Sequence, residues 1–332
     1  VKIEVAIWVF KSLSSEAELN ESERYAIMLG NIYMKQKYIV GLGAAVMDYL
    51  QLVDAFPKAN TKIRSKGASL QGGGSAMTAL VTLAKLGMNT QACSVVGDDA
   101  LGKMIISDLE SHNVGSSHIQ KLPKGASSLS SVLITEKTRT IVGHYALESS
   151  FNLNKVKSGF WKNVTVLHLD GHHAHAAFAA AKLVKKAGGL ISVDGGHASP
   201  DIEALLPLAD IMIMSETFIT EQLKKDTVAN QIKKLYHRYQ PKVLIITRGD
   251  KGVWYWENDK VKKVSAFRVK AKDTTGAGDV FHGAFLYAYL KNYSLVDAIT
   301  FAQAASALKV QHVGARTGIP SYKSIKDFLK TK

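Results

Sequence analysis

The chain of 332 residues has a single cysteine, Cys93. One thiol excludes an intramolecular disulfide and a thiolate zinc cluster, and it suits a reducing compartment. Long apolar runs are missing too: no stretch approaches the roughly 20 residues that cross a bilayer. Val5 to Phe10 is short, and Glu16, Glu18, Glu21 and Glu23 come soon after it. A secretory leader would have a longer apolar core, and a transit peptide would be poor in acids. A cytoplasmic protein with no membrane partner is the expectation. Acidic residues are scarce, 28 against 42 Lys and Arg, a formal charge of +14. That excess permits anionic partners such as nucleotides, phosphorylated metabolites or nucleic acid, without choosing among them.

A hydrophobic share of 46% with 21% charge is globular and argues against disorder. Residues 1–33 differ from the rest of the chain, with three basic residues against five acidic ones. They read as an atypical N-terminal extension, either disordered or a loosely docked helix over Ser15 to Met28. The folded domain is expected over residues 34–332, opening on the buried strand Tyr38 to Gly43. Short apolar runs then recur at Gln91–Val96, Val164–Leu169, Leu190–Val193, Ile211–Met214 and Val243–Ile246. Helical patterns separate them at Ala76–Leu86, Leu101–Ser111, Ala176–Ala187 and Thr227–Tyr239. This alternation predicts βαβ units, a mostly parallel sheet covered on both faces, and ligands at the carboxyl ends of its strands.

Two segments break the alternation, at about residues 50–72 and 126–146. Both show β patterning without intervening helices, and Ser131–Thr135 with Arg139–Val142 reads as a hairpin. Together they predict a small β lid over a substrate. No repeat or low-complexity linker appears, so one domain with a lid is more economical than two domains.

The sharpest motif is Asp273-Thr-Thr-Gly276-Ala-Gly278-Asp279, leading into an apolar helix from about Val280 to Leu290. A glycine turn feeding a helix N-terminus aims unpaired N–H groups outward, with the positive dipole end behind them. This turn is thus a ready anion site. Asp279 beside it should stay ionised. An ionised Asp there can deprotonate an attacking hydroxyl during phosphoryl transfer. The same position also suits an ordinary helix N-cap.

This string, from Asp273 to Leu286, resembles the second signature of the ribokinase/PfkB carbohydrate kinases. Gly72-Gly-Gly-Ser-Ala-Met-Thr78 through Gly102 is similar to the first signature, and the resemblance covers most of the chain from Met34 on. It implies a three-layer α/β/α ribokinase-like fold with a small β-sheet lid. It also implies ATP- and Mg²⁺-dependent phosphorylation of a primary hydroxyl of a sugar, with Asp279 as catalytic base and Gly276, Ala277 and Gly278 as the anion hole. Asp48, Gly73, Gly74 and Thr78 map to sugar contacts, although Asp48 also suits a turn cap. Thr78 stands where the family has Asn. Thr247, Gly249 and Gly252 resemble the nucleotide loop, and Ser215 falls in the nucleotide region. The resemblance further implies a K⁺ site drawing on Asp273 and Thr275, and on the backbone oxygens of Lys309, His312 and Gly314.

One departure concerns the nucleotide side. The family's Asn-x-x-Glu is replaced by Ser215-Glu216-Thr217-Phe218; either Glu216 or Glu221 substitutes through water, or activity is reduced. Ser-Glu here, the triple glycine and the closing Gly314-Ala-Arg-Thr-Gly-Ile-Pro320 look most like the sulfofructose kinase branch. His172, in Asp170-Gly-His-His-Ala-His175, stands where that branch uses Arg. Arg139 and His172 are candidate contacts to an anionic sugar. His172, His173, His175 and His197 otherwise read as a metal site or, in preference, a polar substrate rim. The alternatives are a nucleoside kinase of the same fold and a catalytically weak sugar-binding or regulatory protein. A homodimer through the lid is a family expectation; a nucleic-acid partner is not expected.

Overall fold

The computed structural model describes residues 37–136, 138–145, 151–222 and 226–331. The expected helix over Ser15 to Met28 and the start at residue 34 lie outside them. The strands are β1 (Tyr38–Leu42), β2 (Val46–Leu52), β3 (Gly67–Gly73), β4 (Thr90–Gly97), β5 (Gly115–Leu122), β6 (Ser128–Ile134) and β7 (Arg139–His144). They continue with β8 (Val164–Leu169), β9 (Leu190–Gly195), β10 (Ile211–Ser215), β11 (Val243–Thr247), β12 (Val253–Glu257) and β13 (Lys260–Val264). The helices are α1 (Ser75–Lys85), α2 (Ala100–Ser111), α3 (Ser158–Trp161), α4 (Ala174–Lys186) and α5 (Pro200–Leu205). After them come α6 (Glu216–Gln222), α7 (Val228–Tyr239), α8 (Ala277–Leu290), α9 (Leu295–Lys309) and α10 (Tyr322–Lys330).

Nine strands form one sheet in the order β13-β12-β11-β10-β9-β8-β1-β4-β5. It is parallel except for the edge hairpin β12–β13. Strand alternation divides its side chains between two cores. Ile211, Ile213 and Ile245 pack with α1, α8 and α9 on one face. Met212, Met214, Leu244 and Ile246 pack with α4, α6 and α7 on the other. Both faces are covered, which is why the strands read as unbroken apolar runs. β5 was not evident in the sequence: it is a half-exposed edge strand with polar residues along it.

The lid is a separate sheet in the order β3-β2-β6-β7. It is wider than the patterning predicts, beginning at Val46 and running to Gly73. Tyr49 pairs with Leu70 and Ser131, and Ser131 with Val142. Tyr49, Leu70 and Val142 are exposed on this row. Leu50, Val132 and Ile134 form the lid's own small core.

Candidate active site

The site lies where the ends of β1, β8 and β9 meet the start of α8. Gly276 is the N-cap of α8, with φ +75°. A Cβ there would sit 2.8 Å from Ala315 Cβ, so conformation and space both demand glycine. Helix α8 starts at Ala277, earlier than expected, which makes Asp279 its third residue rather than its cap. Ala277 N–H turns back to Thr274 O at 3.2 Å. Among the described residues no acceptor meets the N–H of Gly276 or Gly278, and space around Gly278 is open.

Asp279 is half-buried. Its carboxyl is pushed up to about 6, first by desolvation and then by the nearby Asp194 carboxylate. His282, Arg139 and a hydrogen bond with the Ser75 side chain pull the other way. A carboxyl at about 6 is still ionised at neutral pH, but it is less acidic than the helix terminus alone implies, because lost water outweighs that terminus. Ser75 is close because α1 and α8 touch. A Cβ on Gly283 would lie 2.5 Å from Ala79 O.

Beneath Asp279 lies a network that sequence spacing did not reveal. His282 Nε2 is 3.2 Å from Asp194 Oδ1. The buried His168 bonds Ser192 Oγ through Nδ1 at 3.1 Å, and its Nε2 has no partner among the described residues. Burial drives His168 down to about 3, so it is neutral. These three side chains place ligand-type atoms within 4.8 Å of one another. The histidines singled out from sequence do not converge in this way. His173 is buried and His175 exposed, while His197 pairs with Glu221 at 3.1 Å. His172 is at the rim, stacked on Tyr145 of the lid segment with ring centroids 5.4 Å apart.

On the sugar side, Asp48 is buried and its carboxyl is raised to about 6, chiefly by burial, with Arg316 and Ser130 opposing. A Cβ on Gly73 would fall 2.2 Å from Asp48 Oδ2, so only bare backbone fits against this carboxylate. Gly74 caps α1 at φ +89°. Thr78 is buried and its hydroxyl accepts from Arg316 Nε at 3.4 Å. It therefore reaches the site through Arg316. Arg316 also donates to Gly73 O at 2.8 Å and is ion-paired with Asp108. Asp170 was likewise not singled out. Its carboxylate accepts from Ala44 N and Ala76 N, both at 3.2 Å, and from His172 N at 3.1 Å. It ties β1, α1 and the histidine segment together. Arg139, exposed on β7, donates to Thr274 Oγ1 at 2.9 Å, so the lid touches the anion loop.

On the nucleotide side, Thr247 ends β11, and its hydroxyl lies 3.4 Å from Met214 O. Gly249 and Gly252 take φ of +58° and +87°, and a Cβ on Gly252 would strike Val264 O at 2.2 Å. Ser215 Oγ donates to Gly196 O at 2.6 Å and accepts from Phe218 N at 3.0 Å, capping α6. Glu216 accepts from Arg248 Nε at 2.9 Å and pairs with Lys251 at 3.3 Å. Burial pushes its carboxyl up, but those hydrogen bonds and charges hold it low. Glu221 accepts from Ala198 N and His197. The expected water-mediated role of Glu216 or Glu221 is corrected, because both carboxylates are already committed to protein partners.

The expected K⁺ ligands do gather, but they bond to one another. Asp273 Oδ1 accepts from Thr275 N at 2.8 Å and from its hydroxyl at 2.7 Å, while Oδ2 accepts from Gly314 N at 2.7 Å. Lys309 O accepts from His312 N at 3.0 Å. The Lys309 ammonium itself donates to Asp273 O at 3.0 Å. A K⁺ ion does not fit a place already held by a cation, and that expectation is corrected too.

A doubly covered α/β sheet, a β lid and a glycine-rich helix start bearing a carboxylate define a phosphoryl-transfer fold. The chain belongs to the pfkB family of carbohydrate kinases, whose family model matches residues 36–322. It is a kinase with an alcohol acceptor. Ribokinase of Haemophilus influenzae is 24% identical over 303 residues, spanning 89% of this chain and 99% of its own length. Fructokinase of Salmonella typhimurium is 28% identical over 304 residues, 84% of this chain and 95% of its own. The structure of Arabidopsis thaliana ribokinase complexed with ribose and ATP superposes with a TM-score of 0.76 at 25% identity, covering 90% and 99% of the two chains. Among the described residues, no helix is long and apolar enough to cross a membrane.

Proposed function

We propose that this kinase moves the γ-phosphoryl group of ATP to a primary hydroxyl of a sugar, with an anionic sugar the favoured class. The supporting observation is Asp279: a partly exposed carboxyl, raised to about 6, at the N-terminus of α8 beside open N–H groups. Such a group is ionised at neutral pH yet basic enough to accept a hydroxyl proton. The N–H groups of Gly276 and Gly278 and the helix dipole offset charge on the transferring phosphoryl group. Asp48 and the backbone of Gly73 and Gly74 hold sugar hydroxyls, and Arg316 orients them through Gly73 and Thr78. Arg139 and His172 at the rim favour a negative substituent.

ATP fits the left-handed turns at Gly249 and Gly252, where the backbone is free of side chains, with Thr247 at the strand end. Mg²⁺ supplies charge neutralisation on the phosphates when bound; with Glu216 and Glu221 committed, it would be held mainly by ATP oxygens and water. The exposed row Tyr49, Leu70 and Val142 supports pairing of two lids in a homodimer, which light scattering on the purified protein tests. ADP release across a panel of neutral sugars, sugar acids, sulfonated sugars, sugar phosphates and nucleosides tests the main reading. Stimulation by no sugar of any class would overturn it.

A further inference from the structure

Lys309 is the last residue of α9 and is fully buried. A buried ammonium costs several kcal/mol unless it is compensated. Here the compensation is specific. Its Nζ donates to the backbone oxygen of Asp273, at 3.0 Å, and this residue opens the anion loop. Burial lowers the ammonium to about 8, with Arg139 acting the same way and the carboxylates of Asp273 and Asp279 opposing, so Lys309 is still charged at neutral pH. The loop is anchored on the other side as well, by Gly314 N on Asp273 Oδ2 and by Ser306 Oγ on Ala277 O at 2.8 Å. The ammonium is therefore a single positive charge fixed to a loop carbonyl. It stands where the resemblance placed carbonyl ligands for K⁺.

We propose that the Lys309 ammonium is a built-in monovalent cation, which holds the loop 273–278 in its anion-binding form and makes this kinase independent of K⁺. A bound ion is replaced by a charge carried on the chain, so no cation has to be recruited or dehydrated. Lys309 is buried and bonds the loop backbone, which makes it a positioning residue. The proposal rests on the kinase reading for its catalytic meaning, but its structural core does not.

Three measurements on the full chain test it. The first is the thermal midpoint without ligand, in KCl, NaCl and tetramethylammonium chloride at equal ionic strength. The second is ATP affinity in the same salts. The third is turnover on whichever sugar stimulates ADP release. The wild-type protein should give the same value in all three salts for each measurement. Lys309→Ala should lose about 100-fold in turnover, in the range for one anion-stabilising group. K⁺ or NH₄⁺, but not tetramethylammonium, should restore at least a tenth of the lost turnover and raise the variant's midpoint. Lys309→Met fills the space without charge and should show no K⁺ rescue.

Several-fold activation or stabilisation of the wild type by K⁺ would overturn the proposal. So would a folded Lys309→Ala that is equally impaired in every salt. Should Lys309→Ala fail to fold, the wild-type salt comparison still decides. Should no sugar be phosphorylated, the kinase reading fails alone, because the midpoint comparison needs no substrate.

Discussion

Asp279→Asn should make this protein inactive and more stable at once. The carboxyl titrates at about 6 in the fold, against an ordinary 3.8. Holding it ionised at pH 7.5 costs the folded state about 3 kcal/mol, at roughly 1.4 kcal/mol per pH unit of displacement. Because Asp279 is partly exposed, solvent reduces this to about 1–2 kcal/mol. Linkage gives the sign. A raised carboxyl pKa means the folded state binds its proton more tightly than the unfolded chain does. The penalty is therefore absent below about pH 4, grows as pH rises toward 6, and is complete above that. Asparagine keeps the size and a hydrogen bond to Ser75 but has no charge to desolvate. At about 2–4 °C per kcal/mol, the midpoint should rise by about 2–8 °C at pH 7.5 and by almost nothing at pH 4. Turnover should fall by at least about 10²–10⁴-fold, the share usually supplied by a general base. Calorimetry at both pH values and coupled ADP release measure the two halves. A variant no more stable at pH 7.5 than at pH 4, relative to wild type, would refute the desolvation argument. Near-normal turnover would refute the base assignment.

Neighbouring contacts lead to other outcomes. The wild-type rate should decline as pH falls through about 6, as Asp279 gains its proton; Asp194→Asn removes a charge that raises Asp279 and should move this limb to lower pH in a pH–rate profile. Arg316→Met leaves Asp108 and Asp48 without their buried cation, and should cost about 3–5 kcal/mol in urea unfolding while raising the sugar KM. Gly283→Val places side-chain carbon against Ala79 O, so α1 and α8 must separate; about 1–3 kcal/mol of stability should be lost, with turnover falling as Ser75 leaves Asp279.

Particular residues show how far local pattern reached. The apolar runs at residues 164–169, 211–214 and 243–246 match strands because burial on both faces removes polar alternation. β5, half-exposed at the edge with the sequence GSSHIQKL, carries no such signal. Glu216 looked available for metal chemistry because its partner Arg248 is 32 residues away, and only the adjacency of β10 and β11 brings them together.

By itself the sequence determined the doubly covered sheet, the lid hairpin and the glycine-rich start of α8. Each of these is written in a contiguous stretch, through hydrophobic period and the backbone freedom of glycine. The tertiary structure alone decided the electrostatics. Lys309 reaches Asp273 across 36 residues, Arg316 reaches Asp108 across 208, and Asp279 on α8 is lifted by Asp194 on β9. Charge, burial and pKa depend on what surrounds a group in space, and for these side chains the surroundings come from distant parts of the chain.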